Sequence, residues 1–404
     1  MHIIELTEKQ FKNYSIIHSR KNIYQTVNYA KMQEKYGFNH LFLGLVDDSD
    51  NVVAASLILE NVINKKFKYG IAPAGYLIDF NDLALVKIFT DLLKEYLAKR
   101  DYIYLRINPL LYYKLHDSDG VLLEDNSELV ERYKGLGYRY LGFDSERFNS
   151  NIILKTKSTT EETYKSFKRT TRREINDALH MGITVYKGGI NDLETFYNMV
   201  RKKSNKSIEY YNDYMIYFND DNMKMELYFA RIDPQIYINN YRYLLKEETT
   251  YNDKLAYTIR TKGNKTTAGL INKKMVSDKK LVRYNNEIVK GSNLLRDYPK
   301  GLIVGTCAII SNNQEIYFMV DGYERKVKDI HSVNLIIWEV IKKYMKDGYR
   351  KFNLGKIYSN LENTNSKYHG IFYAKRGFNG KVVTYPGDFD LVINNLLYPL
   401  FRKK

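Results

Sequence analysis

The sequence predicts an α/β protein built from two copies of one unit, and three observations carry that expectation. Apolar runs of strand length recur in the same order in both halves. Each half holds one amphipathic stretch of helical period between two such runs. One long charged insertion then breaks the second copy at a single point.

In the first half, strands are expected over 40–46 and 52–60, joined by the Asp/Ser turn 47–51, with another over 67–71. A helix follows over 81–99, because Leu85, Ile88, Phe89, Leu92, Leu93 and Tyr96 repeat at helical spacing; a strand over 102–107 is then stopped by Pro109. The second half repeats this order with strands over 225–232, 302–310 and 315–320, a helix over 332–347 and a strand over 351–354. Its insertion falls where the first half has only the turn, which points to an arm inserted into a hairpin. Ile238, Tyr241, Leu245, Leu255 and Ile259 before Gly263, and Leu281, Tyr284, Ile288 and Leu295 after it, keep 3 and 4 spacing. An antiparallel helical hairpin is expected, with Glu248, Asn252 and Gly291 interrupting its seam; the alternative is a loose basic loop.

Between the halves, Thr159 stands three residues before Glu162 in a capping box that opens a helix running to near Gly182. Tyr164, Phe167, Thr171, Ile175 and Ala178 form its inner stripe, leaving Lys165, Lys168, Arg169, Arg172 and Arg173 outside. This is the densest basic patch of the chain. It reads either as a solvated face or as a contact for a phosphate backbone.

The 404 residues carry 63 Lys and Arg against 47 Asp and Glu, a net charge of +16, so a polyanionic partner is expected. The single cysteine, Cys307, lies in an apolar run and reads as a small buried hydrophobe, and one cysteine forms no disulfide framework. The amino terminus lacks a signal-peptide pattern and no apolar stretch approaches the length of a membrane span, about eighteen residues, so a cytosolic protein is expected. The seven histidines, scattered from His2 to His369, have no metal-ligand spacing, and no Walker A, GxSxG or GxGxxG stretch opens a helix. Hydrolase, kinase and dehydrogenase readings lose their usual warrants. What remains is an enzyme that positions two substrates for direct attack, or a protein that only binds.

Several stretches resemble the FemABX family of bacterial peptidoglycan-bridge aminoacyltransferases, with its FemX-type and MurM-type enzymes. Segment 24–31 is similar to the family's Q-x-x-x-W-A-x stretch, 102–109 to its strand ending in R-x-D-P, and 207–211 to its I-x-Y-F stretch. Segment 368–394 is similar to its closing Y-x-x-x-x-F-K-x-x-x-G and Y-x-G-E-F-D-x-V signatures. The resemblance implies two tandem acetyltransferase-like (GNAT-like) units facing each other across a cleft, with an inserted coiled-coil arm. It implies units over 1–155 and over 156–235 with 299–384, an arm over 236–298, and a carboxy-terminal segment 385–404 returning to the first unit. The implied activity is transfer of an amino acid from aminoacyl-tRNA to the stem-peptide side-chain amine of a lipid-linked peptidoglycan precursor, with no metal or organic cofactor. Both substrates are polyanions.

The resemblance also implies roles. The family's phosphate-binding lysine falls at Gln33, so Lys31 or Lys35 would take that contact; Lys206 corresponds to a second phosphate contact and Tyr210 to a tyrosine beside the same substrate. Asn108 occupies the place of a cleft aspartate, and Arg106, two residues earlier on the strand, should share its face. Lys375 corresponds to the lysine beside the reacting ester, where it would stabilise the oxyanion, and Asp388 to the acidic residue of the final motif. Lys165, Lys168, Arg169, Arg172 and Arg173 would meet the tRNA. The end of the chain sets Leu396, Leu397, Leu400 and Phe401 beside Arg402, Lys403 and Lys404, which suits either contact with an anionic membrane or a packed helix with a solvated tail. The rival reading is a non-catalytic RNA-binding protein, drawing on the basic helix, the basic arm and the tyrosines available for stacking.

Overall fold

The computed structural model describes residues 1–404 apart from 64–65, 144–148, 328–329, 364, 367–368 and 403–404, so Tyr368, Lys403 and Lys404 lie outside the described residues. Two sheets organise it. The seven-stranded sheet has the order His2–Glu5, Asn39–Val46, Val52–Ile63, Phe67–Ala72, Tyr102–Ile107, Phe389–Val392 and Tyr138–Tyr140. The nine-stranded sheet runs Ile183–Gly188, Lys224–Ile232, Leu302–Ser311, Glu315–Tyr323, Lys351–Ile357, Ser150–Lys155, Lys381–Thr384, Lys114–His116 and Leu122–Asp125.

Each sheet contains a parallel pair bridged by a helix, because a parallel connection needs a crossover. In the first, helix Leu83–Ala98 joins Phe67–Ala72 to Tyr102–Ile107; in the second, helix Ser332–Lys346 joins Glu315–Tyr323 to Lys351–Ile357. The first of these helices starts where the Asp82 side chain accepts the Leu85 N–H, and it buries Val86, Phe89, Leu93 and Leu97 on one face. The two units therefore share one run of elements: antiparallel strands, then a parallel pair bridged by a helix.

The arm consists of helices Pro234–Lys262 and Ala268–Asp297, leaving strand Lys224–Ile232 and returning to Leu302–Ser311. Its polar seam residues are cross-links rather than gaps. Asn252 Nδ2 donates to Ser277 Oγ (3.0 Å) and Asp278 Oδ1 (2.9 Å), and Glu248 accepts from Lys280 at 3.1 Å. Gly291 has no Cβ because Ile238 occupies that space, only 2.9 Å from where the atom would stand. At the root, Arg283 pairs with Asp177 at 2.6 Å.

Two expectations need correction. Strands Lys114–His116, Leu122–Asp125 and Ser150–Lys155 belong to the second sheet, so the first unit does not coincide with 1–155. These strands are short and join that sheet through the distant strands Lys351–Ile357 and Lys381–Thr384, which local periodicity does not encode. The basic helix is also two helices, Thr160–Ser166 and Arg169–His180. Phe167 turns its ring inward against Trp338 and Phe378, which forces an extended backbone, and the Lys168 N–H donates to the Gly377 carbonyl (2.9 Å) instead of continuing the helix.

Candidate active site

A cleft of about 890 Å³ opens between the sheets. The first sheet's side supplies the loop carrying Arg20, Lys21 and Tyr24, the turn at Ala74 and the end of strand Tyr102–Ile107 at Asn108; the second supplies Lys155, Tyr317, Asn353 and Lys356; the closing segment adds Tyr385 and Asp388. The strand period explains the second wall. Asn151, Ile153 and Lys155 alternate onto one face of Ser150–Lys155, as Lys351 and Asn353 do on the neighbouring strand. An irregularity in pairing after Asn353 then shifts the alternation by one residue and turns Lys356 into the cleft.

Four cleft cations, Arg20, Lys21, Lys155 and Lys356, have no ion pair among the described residues. Lys21 Nζ donates to the Ile16 carbonyl at 3.1 Å, and burial lowers its pKa. Arg20 lies over the Phe80 ring at 5.6 Å. By contrast Lys351 is neutralised by Glu315 (2.7 Å) and Arg132 by Glu128 (2.5 Å). The free cations come from three separate chain segments, so nothing in the linear sequence groups them.

A second feature adjoins this cleft. Strands Glu315–Tyr323 and Lys351–Ile357 pair only at Glu315/Lys351, Ile316/Phe352 and Tyr317/Asn353, then part. Helix His369–Arg376 brings Lys375 to the gap: a Cβ on Gly355 would stand 3.3 Å from its Nζ. Burial lowers the Lys375 pKa against the pull of Asp321.

The residues singled out by resemblance separate into several groups. Asn108 and Asp388 line the cleft, and Asn108 Oδ1 accepts the Ala74 N–H at 2.6 Å, holding the turn of its wall. Lys31 pairs with Glu8 at 2.7 Å on the surface, away from the cleft lining. Lys35 instead latches the two units together, reaching the buried Asp213 at 2.5 Å, while the Tyr36 hydroxyl donates to the same carboxylate at 2.8 Å. Arg106 does not share a free face with Asn108: it grips Asp390 through two hydrogen bonds of 2.8 and 2.9 Å, and burial of that pair on a neighbouring strand makes it part of the sheet. Lys206 is exposed over the Tyr210 ring at 4.8 Å, and neither lines the cleft. Tyr210 is half-buried against Tyr211 and Tyr214, and burial pushes its hydroxyl up to about 12.

On the basic helices, Lys165 pairs with Glu161 at 2.5 Å and Lys168 with Asp119. Arg169 and Arg173 are exposed, and Arg172 is half-buried. At the carboxy terminus Leu397, Tyr398 and Phe401 pack against Tyr104, whereas Leu396 and Leu400 stay 86% and 74% exposed. No helix among the described residues is long and apolar enough to cross a membrane, and none of their His, Cys, Asp and Glu residues gather in threes as metal ligands.

Two sheets, each with a helix-bridged parallel pair of strands, and the cleft between them form a mixed α/β fold with room for ligands to meet. Over residues 6–403 the sequence matches the profile of the FemAB family. It is 26% identical over 417 residues to Aminoacyltransferase FemB of Staphylococcus epidermidis, covering 100% of this chain and 97% of that protein. It is 24% identical over 422 residues to Aminoacyltransferase FemA of Staphylococcus aureus, covering 99% and 97%. The crystal structure of FemX has the same fold, with a TM-score of 0.75 at 17% identity and 100% coverage of both chains. The chain belongs to the FemAB family, and it is an aminoacyltransferase. The non-catalytic RNA-binding reading is set aside on that ground.

Proposed function

We propose that the protein transfers an amino acid from aminoacyl-tRNA to the side-chain amine of the stem peptide in a lipid-linked peptidoglycan precursor, at the cytoplasmic face of the membrane. The amine nitrogen attacks the ester carbonyl, the carbonyl oxygen takes up negative charge, and the carbon–oxygen bond to the ribose breaks as the amide forms. The amine's proton leaves with the ribose hydroxyl. No cofactor is consumed.

The observation that carries this reading is the set of four unpaired cations facing one cleft from both units. Uncompensated positive charge in a walled cleft concentrates an anionic ligand, and a diphosphate fits it. Lys375, in the adjoining strand gap, would meet the ester, with Asp388 on the cleft wall near the amine. Arg169, Arg172 and Arg173, joined to the arm through Asp177 and Arg283, would hold the tRNA backbone, with Lys165 and Lys168 at its margin. The double charge reversal K155E/K356E should then raise the KM for precursor at least tenfold and leave that for aminoacyl-tRNA nearly unchanged. R169E/R173E should do the opposite and flatten the salt dependence of tRNA binding. If both variants weaken the same substrate, this division of the surface is wrong.

The exposed Leu396 and Leu400 beside Arg402 support a peripheral contact with anionic lipid. Co-sedimentation with anionic vesicles should fall in L396S/L400S; equal binding by that variant counts against the contact.

A further inference from the structure

Two buried asparagines share the cleft's second wall with its free lysines. Asn151 and Asn353 stand on neighbouring strands, 8% and 6% exposed, and both line the cleft. Hydrogen bonds fix which atom of each amide points where. Asn353 Oδ1 accepts the Gly355 N–H at 3.1 Å, within the irregular stretch that turns Lys356 into the cleft. A backbone N–H only donates, so the atom facing it is the oxygen, and Asn353 Nδ2 lies on the other side of the amide. The same oxygen accepts from Asn151 Nδ2 at 3.2 Å, which orients the second amide in turn and leaves Asn151 Oδ1 as its outward atom.

Asn353 Nδ2 and Asn151 Oδ1 themselves make no hydrogen bond among the described residues. Neither is a sealed, unsatisfied atom, so both open to the cleft that their side chains line. The wall thus offers one neutral donor and one neutral acceptor on adjoining strands. Lys356 lies level with Asn151 as its register partner, and Lys155 lies beyond Ile153 on the same strand face. Those two cations decide against an ammonium as the group that Asn151 would receive, because like charges repel. A base edge such as that of adenine also carries a donor and an acceptor, but one amide reads both. One residue of an extended peptide, by contrast, turns its N–H and its C=O to the same edge, as in an antiparallel ladder, and suits a donor and an acceptor on two side chains.

We propose that Asn151 and Asn353 form a peptide-reading subsite: Asn353 Nδ2 donates to the carbonyl, and Asn151 Oδ1 accepts the N–H, of one residue in an extended peptide. Identifying that peptide as the stem of the precursor rests on the activity proposed above. The pair sets specificity rather than performing chemistry. A site built to hydrogen-bond both groups discriminates against a ligand that lacks one of them, because its own buried polar atom is then left without a partner.

The probe is a soluble stem peptide without sugar, phosphate or lipid, titrated into the full-length protein and followed by ligand-observed NMR. A series of analogues replaces one backbone amide at a time by an ester, which lacks the N–H. In the wild type, the ester at one position should weaken binding by about tenfold. In Asn151→Ala, ester and amide at that position should bind equally, a loss of discrimination that a merely structural role would not produce. Asn353→Asp keeps an oxygen for the Gly355 N–H and exchanges the donor for a second oxygen. It should weaken every peptide of the series by about tenfold or more and raise the KM for precursor alike, with that for aminoacyl-tRNA unchanged. Should Asn151→Ala fail to fold, this near-isosteric variant decides the matter. The proposal is overturned by a wild type that does not bind the peptide, by an ester series with no position that depends on Asn151, or by variants that raise the KM for aminoacyl-tRNA instead. Asn151-dependent peptide binding with no transfer to the peptide's amine would uphold the subsite and sink the proposed activity. Transfer to precursor with an unchanged KM in both variants would do the reverse.

Discussion

Lys375→Met should slow single-turnover transfer by about a hundredfold to a thousandfold, with precursor affinity close to that of the wild type. The expectation follows from where the side chain sits. It stands half-buried in the gap where two parallel strands part, with no hydrogen bond or ion pair among the described residues, so its charge is free to meet negative charge that develops on a bound ester. A contribution made mainly in the transition state appears in turnover and not in binding. Lys375→Arg should recover only part of the rate, because a planar guanidinium spreads its donors where the ammonium concentrates them. The comparison needs saturating precursor and charged tRNA and a check that each variant is folded. Near-normal transfer by Lys375→Met would remove this residue from the chemistry and leave the cleft cations as the remaining support for the mechanism.

Asp390→Ala should lower the unfolding free energy by about 3–5 kcal/mol, the usual cost of leaving one member of a buried ion pair without its partner. Asp390 is fully buried and accepts from Arg106 and from the Tyr398 hydroxyl (2.8 Å), and the Arg106 side chain is itself only 19% exposed. The guanidinium, whose pKa the hydrogen bonds to Asp390 raise despite burial, has no route to full hydration once the carboxylate is gone. The double variant R106M/D390L should regain much of the loss, since neither charge is then stranded. Denaturant unfolding of the two singles and the double measures this directly. A substrate-binding Arg106 predicts a different pattern: stability nearly unchanged in Arg106→Met, with a raised KM for precursor. That pattern would restore the role suggested by its place two residues before Asn108.

The contrast between Arg106 and Lys375 shows how much of the site was legible in the chain. Lys375 sits in a closing signature whose residues are contiguous, so a resemblance of order and spacing singles it out, and the fold sets it in the strand gap beside Gly355. Arg106 also sits in a matched stretch, yet its partner lies 284 residues away on the returning strand. The resemblance offers Lys35 for a phosphate contact, but Asp213, 178 residues on, claims it. A side chain's neighbours across the fold decide whether it is free to bind a ligand, and those neighbours leave no trace in local pattern. The unpaired cleft cations went unseen for the converse reason. Arg20, Lys21, Lys155 and Lys356 are ordinary basic residues in sequence and become a group only when two sheets face each other.

What the chain determined by itself is what near neighbours encode: the helical stripes, the strand runs, the repeated order of the two units and the insertion of the arm, because a period of two or of 3.6 residues is a property of adjacent positions. Tertiary structure alone decided which sheet received Lys114–His116, Leu122–Asp125 and Ser150–Lys155, since strand pairing joins segments far apart in sequence. It decided that the arm's polar residues would cross-link rather than interrupt, because hydrogen bonds between Asn252 and Ser277 require two facing helices. It also broke the basic helix at Phe167, where burying one aromatic ring outweighed continuing the local helical pattern.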